Sequence, residues 1–161
     1  MSDKTELVGK VLDLETSRHR ADFNKVKNPA LNAIEEMIEV NKHIIKMLKE
    51  YNPTTEYDLK KYYPELFKKF YEFRKKNTYD WIFHNIRQGK KEDLYRMDAN
   101  EEVIAKLYVS RLSINENELF TLHEFTTPKF FHENFIYHIR GIANERGIKV
   151  LEENLTKLTE E

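Results

Sequence analysis

Four polar side chains lie where the surrounding sequence predicts the buried face of a helix. They are Asn41, Asn77, His84 and Arg111. Burying such a group without a hydrogen-bond partner costs about 1–3 kcal/mol, so each of them needs a partner. Either the four groups bond to one another, to backbone carbonyls or to Glu side chains, or they converge on an apolar cavity between helices. The latter arrangement is the usual form of a small-molecule site.

The cavity interpretation predicts a ligand site with mostly aromatic walls. The walls would be Met37, Phe73, Trp81 and Tyr108. Arg111 would favour a ligand with a carboxylate or another acceptor-rich head, because a guanidinium offers donors in a fixed geometry and stays charged. The aromatic walls would suit a ring or an acyl chain. Such stripes more often form ordinary core, so the prediction depends more on the polar residues than on the walls.

The common signatures of catalytic sites do not occur in the sequence. It contains no G-x-S-x-G, P-loop, G-x-G-x-x-G or H-E-x-x-H motif, and no Glu-x-x-His pair of the kind that binds two irons. Glu39 and His43 are one helical turn apart, but Lys42 and Lys46 flank them, which favours a solvated ion pair over a metal site. We therefore expect neither an enzyme nor a bound cofactor or metal, and His84 alone is little support for catalysis.

Hydrophobic periodicity predicts an all-α helical bundle of six or seven helices. The longest runs from Pro64 to Gly89, and we expect it to be central, with Gly89 just past its end. After it, a polar loop should tuck Leu94 and Tyr95 inward. The remaining helices are expected to begin near residue 2, to span about 31–51, 56–63 and 100–122, and to start at Pro128 with a kink or an end at Gly147.

Composition indicates a single helical domain. The chain has 161 residues, of which 40% are apolar and 34% charged, with four Gly, four Pro and no Cys. The formal net charge of −1 gives the chain no electrostatic attraction to DNA or to an anionic membrane, so we expect no DNA binding by this chain alone. The absence of a signal peptide and of a long apolar run predicts a cytoplasmic protein.

The last long helix has an apolar surplus that predicts either a subunit interface or an intramolecular core. Aromatic residues share one face of this helix with polar groups that an interface could hydrate. If the face is an interface, the predicted contact includes Phe131, Phe135, His138 and Ile142 of this helix together with Leu112 of the helix before it.

Three segments together resemble the effector domain of TetR-family transcriptional regulators, most like those of Bacteroidetes. They read GKKEDLYRMDAN, AKLYVSRL and FIYHIRGIANERGIKVLE. In such regulators a helix ends near a Gly, a loop carries a G-LYR-D-like pattern, and the final helix carries a YHIRGIA-like run. The opening DKTELVGKVLD is similar to the start of the family's fourth helix, so the resemblance covers nearly the whole chain.

The resemblance implies a homodimer in which the last two long helices pair with those of a second copy in a four-helix bundle. The family's N-terminal DNA-binding unit, which holds the helix-turn-helix, has no counterpart here. We therefore expect the effector-sensing and dimerisation domain of a transcriptional repressor, with its first helix as the transmitter. The alternative is a ligand-free dimerisation module. Glu92-Asp93 stands where relatives have Glu-Gly, so the backbone is expected to differ there.

Overall fold

The computed structural model describes residues 2–112 and 119–158, and this part of the chain is helical without strands. The all-α prediction is therefore confirmed. Eight helices follow one another: α1 (Ser2–Val26), α2 (Ala33–Lys49), α3 (Pro53–Tyr62), α4 (Pro64–Lys91), α5 (Glu101–Arg111), α6 (Leu122–Phe125), α7 (Pro128–Ile142) and α8 (Glu145–Asn154), with a final 3-10 turn over Leu155–Leu158.

Side-chain caps fix where most of these helices begin. The Asn32 side-chain oxygen accepts hydrogen bonds from the backbone N–H groups of Ile34 and Glu35, while the Glu35 carboxylate accepts from the Asn32 N–H, all at 3.0 Å. This reciprocal arrangement satisfies donors that no helical carbonyl can reach. Side chains that cap other helices are Asn52 before α3, Asn100 before α5, Thr127 before α7 and Asn144 before α8.

The first half of α2 lies at the centre of the hydrophobic core. Its residues from Ala33 to Asn41 are buried except for Glu35 and Glu39. Residues from α4, α5, α7, α8 and the loop before α5 pack around it: Ile82, Ile86, Leu94, Tyr95, Ala105, Tyr108, Phe135, Ile139, Ile142, Ala143 and Leu151.

The helix α4 begins at Pro64, as predicted, but its C-terminal end and its burial differ from the prediction. It continues two residues past Gly89 to Lys91, so Gly89 lies inside the last turn rather than beyond it. Gly89 is needed there because a Cβ at this position would overlap the buried Tyr95 ring. Only the second half of α4 reaches the core, through Ile82, Asn85, Ile86 and Gly89, so the helix is central over half of its length.

The predicted last long helix is divided in two, which is one reason why eight helices replace the expected six or seven. The backbone turns to an extended conformation at Ala143, where ψ is 146°, and Asn144 then caps α8. The break therefore precedes Gly147, which lies inside α8. A Cβ on Gly147 would overlap the Leu94 carbonyl oxygen, so the glycine is required by the close approach of the loop.

The loop between α4 and α5 is held against the junction of α7 and α8. The Arg96 N–H donates to the Ile142 carbonyl at 2.8 Å, and the Asn144 N–H donates to the Leu94 carbonyl at 3.0 Å. Leu94 and Tyr95 are buried, as expected. Asp93 has a left-handed backbone with φ of 56°, a conformation that favours glycine and that Asp tolerates better than most residues.

The helix predicted to run irregularly to about residue 122 is shorter. The helix α5 ends at Arg111, residues 119–121 are not helical, and α6 is a single turn. The segment 113–118 lies outside the described residues. Around α6, the rings of Phe120, Phe125 and Phe130 contact one another at centroid distances of 4.5–5.6 Å. These aromatic contacts stabilise the turn into α7.

Candidate functional site

Two of the four polar residues predicted to line a cavity are exposed instead. Asn77 and His84 lie on the solvent face of α4. The predicted stripe follows the face on which Leu66 and Phe70 are half-buried, but the second half of α4 packs through nearly the opposite face, where Ile82 is buried. The prediction that these groups converge on one cavity is therefore wrong.

The remaining predicted residues near α2 lie close to the core but do not form a site together. Met37 is fully buried, and the Asn41 side-chain nitrogen is buried without a hydrogen-bond partner among the described residues. The Trp81 ring N–H donates to the Glu36 carboxylate at 3.0 Å. Phe73 is half-buried beneath the Arg20 guanidinium, 5.5 Å from its ring centroid. These are packing contacts between α1, α2 and α4, and they do not form a binding site.

His43 also departs from its predicted position on a charged face. Its ring contacts the edge of Phe23 at a centroid distance of 5.9 Å, and its Nε2 is buried without a partner among the described residues. Glu39 pairs with Lys42 at 3.3 Å rather than with His43. Across residues 2–112 and 119–158, no group of three or more potential metal ligands is close enough to hold an ion.

Two open surface grooves have volumes in the range of small-molecule sites, and neither is lined by a predicted site residue. The first, of about 340 Å³, lies between α4 and α5 and is lined by Glu72, Lys75, Lys76, Tyr79, Lys106, Val109 and Ser110. The second, of about 410 Å³, is lined by Pro29, Ala30, Leu31, Asn32, Glu92, Leu94, Arg146 and Val150. Neither groove supports the predicted eight-residue pocket.

Arg111 and Tyr108 of α5 do meet a third functional candidate, His138 of α7. One terminal nitrogen of Arg111 lies 3.3 Å from His138 Nδ1, and the Tyr108 ring lies edge-on to the imidazole at a centroid distance of 4.7 Å. The guanidinium is 5.8 Å from the Tyr108 ring centroid and 5.4 Å from that of Tyr137. We call these four residues, Tyr108, Arg111, Tyr137 and His138, the arginine–histidine cluster.

The electrostatics of the arginine–histidine cluster follow from its burial. Burial, reinforced by the nearby Arg111 charge, lowers the pKa of His138 to about 3, so the imidazole is neutral at physiological pH. Burial also lowers the pKa of Arg111, which stays protonated, and raises that of Tyr108 to about 12. The cluster therefore presents one cation next to a neutral imidazole.

Three residues predicted to form a dimer interface belong to the intramolecular core. Phe135, His138 and Ile142 are at most 3% exposed, because the face of α7 that carries them packs on α2. Their prediction as contacts with a second copy is therefore wrong. Leu112 and Phe131 are half-buried, and the Phe131 ring contacts that of Phe130 at 5.5 Å.

The structure instead exposes apolar side chains on the outer side of α5 and α7, which the sequence reasoning missed. Val103 and Leu107 are one turn apart on α5, and Tyr137 on α7 is 74% exposed. Arg111 follows Leu107 by one turn and contacts the Tyr137 ring, so the two helices present one continuous surface. We call Val103, Leu107 and Tyr137 the α5–α7 face. The sequence feature that could have predicted this face is the apolar pair Val103 and Leu107, which are four residues apart and each follow a charged residue.

Together, the fold and the cluster define an all-helical protein with a cationic site between α5 and α7 and an apolar surface beside it. No family model, curated protein or solved structure matches the chain. None of the described helices combines the length and the hydropathy needed to cross a membrane.

Proposed function

We propose that this chain is the effector-sensing and homodimerisation domain of a TetR-type transcriptional regulator, acting with a DNA-binding unit outside this chain. The observation that supports the proposal most is the contact between two of the segments that carry the resemblance. The loop around Leu94 and Tyr95 docks on the junction at Ala143 and Asn144. These motifs are then parts of one structural unit, which explains why they would occur together in such a domain.

The α5–α7 face is the proposed dimer interface. Val103 and Leu107 would otherwise leave apolar area in water, and aromatic residues such as Tyr137 are enriched at interfaces. This face replaces the interface predicted from the sequence, because Phe135, His138 and Ile142 are buried in the core. Leu112 and Phe131 are half-buried and would extend the contact.

Sensing would operate through the arginine–histidine cluster, with α1 as the transmitter to the DNA-binding unit. A ligand shifts an equilibrium only by its difference in affinity for the two arrangements. Because α1 contacts both α2 and α4 without a fully buried residue from Asp3 to Val26, a change in α4 could move it at small cost.

Sedimentation of the wild-type chain and of Val103→Glu tests the dimer. We expect the wild type to sediment at twice the 19.5 kDa chain mass at micromolar concentration. Val103→Glu places a charge in the proposed interface and should sediment as a folded monomer. Leu7→Glu, an exposed apolar position on α1, is the matched control and should leave the dimer intact. A wild-type chain that stays monomeric at micromolar concentration would refute the proposal.

A ligand-free dimerisation module is the second candidate. The exposure of Asn77 and His84 favours it, because the predicted cavity is not formed. Such a module could form inactive heterodimers with full-length relatives. It predicts the same sedimentation behaviour as the sensor but no specific binding of a small molecule.

A further inference from the structure

Basic residues are concentrated in two consecutive helices, α3 and α4. Residues 53–91 carry ten Lys or Arg and five Asp or Glu, a net charge of +5, in a chain whose total is −1. Of these ten, only Lys75, Lys76 and Lys90 form ion pairs with residues that the structure describes. The near-neutral total therefore conceals a basic segment with mostly uncompensated charge, and such a segment attracts polyanions.

Along α4, aromatic rings alternate with cations in one row, because residues four apart are neighbours on a helix surface. The row consists of Phe67, Tyr71, Lys75, Tyr79, Phe83 and Arg87. Its four rings form two stacked pairs, with centroids 5.8 and 5.9 Å apart. A cation lies over the second ring of each pair, Lys75 at 4.5 Å and Arg87 at 5.9 Å from the centroid. The row is half-buried, with Arg87 exposed, and at the helical rise it is roughly 30 Å long.

The helix α3 extends this row with exposed tyrosines. The Lys60 ammonium lies 6.0 Å from the Phe67 ring centroid, which places α3 beside the start of the row. On the same helix, Tyr57 and Tyr62 are each 62% exposed, and the Lys61 ammonium lies 5.8 and 5.1 Å from their ring centroids. No residue of α3 is buried, so packing in the core does not explain these tyrosines. We call the row together with Tyr57, Lys60, Lys61 and Tyr62 the basic–aromatic surface.

We propose that the basic–aromatic surface binds single-stranded nucleic acid. Such strands are held by cations along the phosphate backbone and by aromatic rings on which unpaired bases stack. Tyr57 and Tyr62 stack on bases, while the lysines beside them and Lys75 contact phosphates. Duplex DNA keeps its bases paired and stacked on one another, so it uses only the charge. The expectation of no DNA binding, drawn from the total charge, then holds for duplex DNA alone.

Fluorescence anisotropy of a labelled oligo(dT) of about 20 nucleotides tests the inference with the full chain, since such a strand exceeds the usual site size. We expect saturable binding at micromolar protein concentration and binding to a duplex of the same length that is weaker by about tenfold or more. The affinity should also fall with salt. Three phosphate contacts predict a slope of log K against log salt concentration of about −2. The measurement does not depend on the proposed dimer.

Two double variants separate stacking from charge. Tyr57→Ala with Tyr62→Ala should weaken oligo(dT) binding by about tenfold or more and leave the salt slope unchanged, because stacking releases no counterions. Lys60→Gln with Lys61→Gln should weaken binding and reduce the magnitude of the salt slope by about 1.4. Lys149→Gln, an exposed lysine of α8, is the matched control and should bind like the wild type.

Lys75→Gln gives a test on α4 that does not depend on the folding of α3, and it should reduce the magnitude of the salt slope by about 0.7. Circular dichroism checks that each variant is folded. No binding of oligo(dT) at low salt, or equal affinities for oligo(dT) and the duplex, would overturn the inference, because charge alone favours neither. A folded tyrosine variant with wild-type affinity would also contradict it. Tighter binding to polyglutamate or to phosphatidylserine vesicles would assign the surface to an acidic protein or a membrane instead.

Discussion

At the scale of single residues, buried polar groups fall into two kinds, and Asn85 represents the satisfied kind. It is fully buried, accepts a hydrogen bond from the Tyr95 hydroxyl at 3.0 Å and donates to the Ala33 carbonyl at 2.9 Å. It thereby joins α4, the following loop and the start of α2. Among the described residues, Arg111 Nε and His138 Nε2 are buried without a hydrogen-bond partner, and that contrast makes their cluster the better functional candidate.

Gly89 and Gly141 predict opposite effects of the same substitution. Gly89→Ala should lower the free energy of unfolding by about 1–3 kcal/mol, because the new Cβ would overlap the Tyr95 ring inside the core. Gly141→Ala should raise it by about 0.5–1 kcal/mol, because this exposed helical position has nothing within 4 Å and alanine is the better helix former. Urea unfolding measures both. Equal effects of the two substitutions would contradict the packing at Gly89.

At the scale of elements, α4 shows how one long helix uses two faces. Its first half is half-buried through residues such as Leu66 and Phe70, and its second half is buried through Ile82 and Ile86 on nearly the opposite side. The two halves have different contacts: Lys60 of α3 lies 6.0 Å from the Phe67 ring centroid in the first half, and Asn85 in the second half donates to the Ala33 carbonyl of α2. Asn77 and His84 lie on the side that the first half buries and the second half exposes, which is why they are solvated.

The helix α1 is predicted to open more easily than α2. Leu7, Val11 and Leu14 form an exposed apolar stripe along α1, and no residue from Asp3 to Val26 is fully buried. Local opening costs little where few apolar contacts are lost. Hydrogen exchange followed by mass spectrometry should show faster amide exchange in α1 than in the first half of α2. Equal protection of the two helices would contradict α1 as a mobile transmitter.

At the scale of the whole molecule, His138 makes global stability depend on pH. Its folded pKa of about 3 lies below the ordinary value of 6.5, so between these values the unfolded chain binds a proton that the folded chain does not. The contribution of His138 to the free energy of unfolding is therefore fully present above pH 6.5. It is lost as the pH falls toward 3, by about 1.4 kcal/mol per pH unit.

Substitution of the histidine tests this dependence. His138→Gln removes the titrating group, so its free energy of unfolding should fall less steeply than that of the wild type between pH 6 and pH 4. The difference in slope should be about 1.4 kcal/mol per pH unit. His123→Gln, at an exposed position, should keep the wild-type slope. Parallel slopes for the wild type and His138→Gln would refute burial of a neutral His138.

The sequence by itself determined the class of fold and most of the helix starts. Helical periodicity and the paucity of Gly and Pro indicated an all-α chain, and the helix expected from about residue 100 begins next to Asn100, which caps α5. It also determined that Leu94 and Tyr95 turn inward, because two apolar residues in a polar loop must pack somewhere. These features depend on neighbours within a few residues, so local physical chemistry is enough to predict them.

Only the tertiary structure decided which face of each helix is buried and which polar groups meet. Arg111 and His138 are 27 residues apart in the sequence and come together only in the folded chain. His138 was assigned to a subunit interface, and Asn77 and His84 to a cavity, because an apolar stripe does not reveal which neighbour covers it. Gly89 and Gly147 likewise resembled helix ends, yet contact with the loop over Leu94 and Tyr95 requires them. Packing between distant segments supplies the constraint that local periodicity lacks.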